Sequence, residues 1–309
     1  MQTALITHAA CELHDMGDGH PEAPGRLASI RKHLLDSGLD AKLAHYEAPL
    51  VTREALLRVH TPDHVDNIEA KAPKQGIVRI DPDTAMNPHS LEAARRAAGA
   101  LTLAVDLVMS AKVNNAFCAV RPPGHHALSN RSMGFCIFNN VAVGAAHAMA
   151  AHNINRVAIL DFDVHHGNGT EEIFATDKRM IFCSIFQHPY YPYQGADTLS
   201  DRIINTPLAA KSDGAAFRAA VVRDWLPNLR RFKPELIFVS AGFDAHQDDP
   251  LAQLKLTEDD YRWVTEQIML LAGEFSQNRI VSTLEGGYNL TALGRSVTEH
   301  VRMLMGATK

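Results

Sequence analysis

Five short apolar runs, each closed by a polar turn, constrain this chain more than any other feature. They are NNAFCAV (114–120), RVAILDFDV (156–164), RMIFCSIF (179–186), PELIFVSAGF (234–243) and RIVSTLEGG (279–287). Near-continuous apolar runs of this length read as strands covered on both faces. Helical periodicity fills the intervals at 90–111, 141–152, 213–232 and 257–275, the last opening with Thr257 as N-cap and acidic residues in its first turn. The alternation implies an α/β fold with a central, mostly parallel β-sheet flanked by helices. Ligands of such sheets bind beyond the carboxyl ends of the strands. Here those ends read RPPGHH, DFDVHHGNG, SIFQHPYYPYQG, SAGFDAHQDDP and EGGYNL. Polar groups at all five ends predict one site along that rim.

Little else in the chain competes with this reading. Its 309 residues, 46% hydrophobic, suffice for a large core, and no repeat, low-complexity tract or linker divides them, so 1–309 reads as a single domain. A net charge of -5 without a dense Lys/Arg run speaks against nucleic-acid or membrane-surface partners. No apolar stretch is long enough for a membrane-spanning helix. The start, MQTALITHAACELHD, lacks the basic region of a secretory signal, so a cytoplasmic location is expected. Cys11, Cys118, Cys136 and Cys183 are scattered without a CxxC and read as free thiols.

In DFDVHHGNG, Asp163 and His165 stand two apart at the end of a strand, where side chains at i and i+2 share a face. One oxygen and one nitrogen ligand then point the same way, with Asp161 one step back. A catalytic zinc takes three protein ligands and leaves a position for water. Asp244, delivered by an otherwise uncharged apolar run, is the best third ligand. The adjacent His125 and His126 would point to opposite sides of an extended segment, which suits proton transfer better than joint metal binding, unless the Pro-Pro-Gly lead-in holds an irregular turn. Asp161 and Asn168 are natural partners for one nitrogen of each ring. Tyr288, after two glycines, offers a phenolic donor that could flank a carbonyl oxygen opposite a metal.

The motifs HPEAPGRL (20–27), RPPGHHA (121–127), GFCIFNN (134–140), DFDVHHGNGT (161–170), SAGFDAHQDDPLA (240–252) and EGGYNL (285–290) resemble the histone deacetylase superfamily, in particular its class II branch and the bacterial histone deacetylase-like amidohydrolases. The resemblance spans nearly the whole chain. It implies an arginase/deacetylase-like fold and a zinc hydrolase that removes an acetyl or other acyl group from an amine, usually the ε-amine of lysine. It assigns Asp163, His165 and Asp244 to zinc. His125 and His126 become an acid/base pair backed by Asp161 and Asn168 respectively, with His126 favoured as the principal acid/base. Tyr288 would polarise the acyl oxygen. Gly134, Phe135 and Tyr191 would line a tunnel for the acyl chain, Tyr191 standing where relatives usually carry Phe. A structural potassium is implied at Asp161, Asp163, His165, Ser184 and the backbone of Ile185, and a second around Phe174, Asp177 and Met180. Such enzymes are commonly homo-oligomers.

Three other functions compete. An acetylpolyamine amidohydrolase would want an acidic gatekeeper where this chain has Leu251, although Glu12, Asp15, Asp18 or Glu22 could substitute. A dimanganese ureohydrolase needs an Asp-x-Asp pair where the chain reads Asp244-Ala245-His246. A catalytically inactive binding protein on the same fold would be expected to have lost a ligand, an acid/base histidine or the tyrosine, and none is missing.

Overall fold

The structure, a computed structural model, describes residues 1–306; residues 307–309 of the expected unit lie outside the described residues. Among the described residues there are ten strands: β1 (Thr3–Thr7), β2 (Ala44–Glu47), β3 (Val78–Asp81), β4 (Thr84–Met86), β5 (Asn115–Cys118), β6 (Val157–Asp161), β7 (Met180–Gln187), β8 (Ile203–Leu208), β9 (Leu236–Ala241) and β10 (Ile280–Leu284). The helices are α1 (Ala10–Leu13), α2 (Gly25–Asp36), α3 (Arg53–Leu57), α4 (Pro62–Lys71), α5 (Ser90–Met109), α6 (Asn140–Ala151), α7 (Asn168–Phe174), α8 (Gly214–Ala220), α9 (Leu226–Phe232), α10 (Glu258–Phe275) and α11 (Leu290–Leu304). Eight strands form one sheet in the order β2-β1-β5-β10-β9-β6-β7-β8, and every neighbouring pair is parallel. β3 and β4 make a separate antiparallel hairpin.

All five expected strands are present, and every residue of β5, β6, β7, β9 and β10 is buried. Helices on both faces leave no polar side to these strands, which is why their sequences do not alternate. The strand order positions the site. The chain leaves a gap between β5 and β6 on its first pass, and β9 and β10 later fill it. Four carboxyl ends, those of β5, β10, β9 and β6, therefore lie side by side. Among the described residues no helix is long and apolar enough to cross a membrane, and the four cysteines are buried free thiols.

Several expectations need correction. The helix expected over 213–232 runs without interruption over 214–232, but as α8, a π-helical turn at Val221–Trp225, and α9. Pro227 sits in the first turn of α9; it has no N–H for the regular i→i−4 bond, and the π-turn immediately before it accommodates that loss. β6 ends at Asp161, so Asp163 and His165 lie in the loop beyond it rather than on the strand. The β3–β4 hairpin lies in a stretch where the sequence suggests no strand. At α10, Thr257 does cap the helix, its N–H donating to the Asp260 carboxylate at 2.9 Å in a capping box.

Candidate active site

The loop after β6 and the loop after β9 bring Asp163, His165 and Asp244 together, with ligand atoms within 4.8 Å of one another and all three residues buried. His165 Nδ1 lies 3.1 Å from Asp163 Oδ1 and 3.2 Å from Asp244 Oδ2. A tetrahedral zinc with bonds of about 2.0–2.1 Å separates its ligand atoms by about 3.3 Å, so these spacings fit the ion. Asp244 Oδ2 is buried without a hydrogen-bond donor among the described residues, while Oδ1 accepts from Val164 N at 2.9 Å. Glycines keep the carboxylates clear: a Cβ on Gly242 would come within 2.0 Å of Asp163 Oδ2, and one on Gly286 within 2.0 Å of Asp244 Oδ2. Burial alone would hold His165 neutral, but Asp163 and Asp244 outweigh it and raise the imidazole to about 10. The chain has built a field that calls for positive charge. The donor set, two carboxylates and one imidazole, suits a borderline dication such as zinc.

His125 and His126 are the two central residues of a turn in which Ala127 N donates to Gly124 O at 3.0 Å. The turn, rather than an extended segment, sets both rings on one side, with centroids 4.0 Å apart. Their second partners differ. His125 Nδ1 lies 2.9 Å from Asp161 Oδ2, and its Nε2 faces Asp163 at 3.9 Å. Burial would lower its pKa, yet Asp161, Asp163 and Glu285 raise it to about 10. His126 Nδ1 donates to Asn168 Oδ1 at 2.8 Å, which leaves Nε2 as a free acceptor. Burial, then His125 and His165, push His126 well below the usual histidine range. One ring is thus held charged and the other neutral.

A cavity of about 120 Å³ opens onto this floor, lined by Asp83, His126, Gly134, Phe135, His165, Tyr191, Leu251 and Tyr288. Gly134, Phe135 and Tyr191, expected to line a tunnel, are in its wall, as is Leu251 at the gatekeeper position. Gly134 is needed twice over: its φ is 58°, and a Cβ would sit 2.3 Å from His126 Cδ2. Phe135 follows with φ 68°, a costly conformation for an aromatic residue, and faces the Tyr288 ring edge-on. Tyr191 stands edge-on to His126 at 5.2 Å and to His165 at 6.0 Å, with its hydroxyl buried. Burial, then Asp244, push the Tyr288 phenol well above its usual range, so it remains protonated and a donor.

Several residues of the site were not singled out from sequence. Asp83 enters the cavity from the β3–β4 turn and accepts from Gly134 N at 2.9 Å. Tyr190 stacks on His165, and its hydroxyl donates to the Leu251 carbonyl at 2.6 Å. Asp249 accepts from Tyr288 N at 2.7 Å and from Leu251 N at 3.0 Å, so one carboxylate ties both residues. Glu285 accepts from Gly124 N, His125 N and Ser240 Oγ beneath the histidine turn. The HPEAPGRL motif also acquires a structural role. Glu22 is fully buried against Arg121 and Arg26, and the Arg26 guanidinium lies 5.0 Å over the Tyr288 ring. Glu22 is therefore committed to the interior and unavailable to a cationic substrate; Glu12 is paired with Arg31. His246, the position that would need to be acidic in a dimetal enzyme, is buried near Glu258 and Asp248, outside the Asp163–His165–Asp244 group.

Of the residues expected around potassium, Asp161 and Ser184 are register partners on β6 and β7, and Ser184 Oγ meets His166 Nδ1 at 3.0 Å. Phe174, Asp177 and Met180 form successive tight turns, and the Asp177 carboxylate pairs with Arg179 at 2.6 Å.

Residues 20–304 match the family described as the histone deacetylase domain. The chain is 38% identical over 278 residues to a histone deacetylase-like amidohydrolase of Pseudomonas aeruginosa, covering 88% of this chain and 73% of that protein. It is 35% identical over 313 residues to a probable deacetylase of Methanothermobacter thermautotrophicus, covering 98% and 90%. The crystal structure of the HDA15 HD domain superposes with a TM-score of 0.92 at 33% identity, covering 99% of this chain and 90% of that one.

Proposed function

This chain belongs to the histone deacetylase family, and from that premise we propose that it is a zinc-dependent deacylase acting on the acylated ε-amine of lysine. The observation that carries the reading is the convergence at one cavity floor of a metal-ligand triad, a neutral histidine and a protonated tyrosine. Asp163, His165 and Asp244 would hold the zinc. Bound there, zinc supplies a Lewis acid that polarises the acyl carbonyl and acidifies water.

The remaining steps belong to the chain's own groups. The aromatic walls of Phe135 and Tyr191 admit an extended aliphatic stem and exclude bulk water. Tyr288 donates its phenolic hydrogen to the acyl oxygen as negative charge develops there. His126 Nε2 takes a proton from the attacking water; His125, held charged by Asp161, stabilises the negative charge of the transition state. As the C–N bond breaks, a histidine returns a proton to the departing nitrogen. Water is consumed, and a carboxylate and a free amine leave. A structural potassium at Asp161, Asp163, His165, Ser184 and the Ile185 carbonyl belongs to the same proposal.

An acylated polyamine as substrate has one observation in its favour, the Asp83 carboxylate in the cavity wall. A fluorogenic acyl-lysine panel, run beside acetylputrescine with and without a chelator, tests both. The expected result is turnover of acyl-lysine that is lost on chelation and restored by zinc. Preference for acetylputrescine would replace the lysine reading, and turnover indifferent to chelation would overturn the metal assignment.

A further inference from the structure

A second group of metal-type ligands lies outside the site described above. Asp106, in the last turn of α5, meets His147 of α6 and His152 at the α6 C-cap. Both Nε2 atoms approach the same carboxylate oxygen, Asp106 Oδ1, at 2.8 and 2.7 Å. The three ligand atoms lie within 4.8 Å of one another. α5 and α6 pack together, so both helix C-termini, where backbone carbonyls carry partial negative charge, end beside this carboxylate. Neither helix has a basic residue in its last turn to offset that field. The Asp106 side chain is half-exposed and the two imidazoles partly so, which leaves the cluster reachable from solvent.

We propose that Asp106, His147 and His152 form a second, solvent-facing site for a borderline transition-metal dication, zinc foremost, which clamps the ends of α5 and α6. Two imidazole nitrogens and one carboxylate exclude calcium and magnesium as preferred occupants, since those take oxygen ligands. A tetrahedral ion requires ligand atoms about 3.3 Å apart, so the two Nε2–Oδ1 contacts need to open by roughly half an ångström, a shift within the reach of an exposed carboxylate and two partly exposed imidazoles. Three protein ligands leave the fourth position to water.

One neighbour opposes the ion. Arg58 Nη1 donates to His147 Nδ1 at 3.2 Å, which keeps the ring proton on Nε2, facing Asp106. For Nε2 to bind metal, that proton must move to Nδ1, and Arg58 must turn to Glu54, with which its Nη2 is already paired at 2.9 Å. Arg58 is therefore a built-in competitor, and its removal should strengthen the site.

The experiment counts zinc in the holoenzyme after dialysis against micromolar free zinc. Wild type should carry about one equivalent more than Asp106→Asn or His152→Ala. Each variant should keep full deacylase activity, which also shows that it is folded. Arg58→Ala should bind the extra ion roughly tenfold more tightly, because it loses both a competing donor and a like charge. Added zinc should raise the melting temperature of wild type more than that of Asp106→Asn. Equal zinc contents in wild type and Asp106→Asn, or weaker binding in Arg58→Ala, would overturn the proposal.

Discussion

Two triads of histidine and aspartate sit at different depths in this molecule. Asp163, His165 and Asp244 are at most 11% exposed by side chain. Asp106, His147 and His152 reach 52%. The residue types are the same in inverse proportion, two carboxylates and one imidazole inside, one and two outside, but the buried group has also been fixed by backbone donors: His165 N to Asp163 Oδ1, Gly286 N to Asp163 Oδ2 and Val164 N to Asp244 Oδ1. The outer group holds itself together only through side chains. Burial removes the water that would screen two carboxylates, so the inner triad raises its histidine to about 10. The lesson is that ligand identity makes a metal site conceivable, whereas desolvation and backbone support make it strong.

The most severe test of that contrast is Asp244→Asn. It should strip zinc from the inner site and reduce turnover to background, whereas Asp106→Asn leaves turnover unchanged; metal analysis beside an activity assay reads both. Next in size is His126→Ala, which should lower kcat by ~10²–10⁴-fold while the zinc content holds. Loss of zinc in that variant would make the histidine pair ligands and erase the distinction between holding the metal and moving protons. Tyr288→Phe follows, with a loss of ~10²–10³-fold in kcat and retained zinc.

The smallest effect isolates what carboxylates contribute to a buried imidazole. His300, like His165, is buried, and more completely, but its partners are hydroxyls, Thr265 Oγ1 at 2.7 Å and Ser282 Oγ at 2.8 Å. Burial therefore prevails and lowers its pKa from 6.5 to about 3. The unfolded chain then takes up the proton first. Stability from this group is complete above pH 6.5 and is lost as pH falls toward 3, at on the order of 1.4 kcal/mol per pH unit. Denaturant midpoints measured across that range should fall less steeply for His300→Gln than for wild type. An unchanged slope would mean that burial alone does not set the charge of this ring.

Much of the site was legible because the motifs lie at strand ends. Asp163, His165, Asp244, both histidines of the turn and Tyr288 meet as expected, although the i, i+2 strand argument for Asp163 and His165 was wrong in detail: a loop, not a strand, brings them together. Gly134, Phe135, Tyr191 and Leu251 also share one cavity. The first third of the fold was less legible. β1 is a short run, and edge strand β2 alternates between half-buried and exposed residues over only four positions, too few for a period to show.

The sequence by itself determined the central parallel sheet, because strands covered on both faces must be apolar throughout, and it determined which chemical groups stand on the rim. Tertiary structure alone decided how those groups are tuned. Arg121 and Glu22 pair across 99 residues, and Glu285 reaches the backbone of His125 across 160. Asp83 arrives on a hairpin turn with no motif of its own. Which histidine is charged and which neutral follows from the carboxylates of Asp161, Asp163 and Glu285 around His125, and from burial beside His125 and His165 at His126. Such partners leave no periodic trace in the chain, since electrostatic coupling depends on distance through a desolvated interior rather than on separation along the backbone.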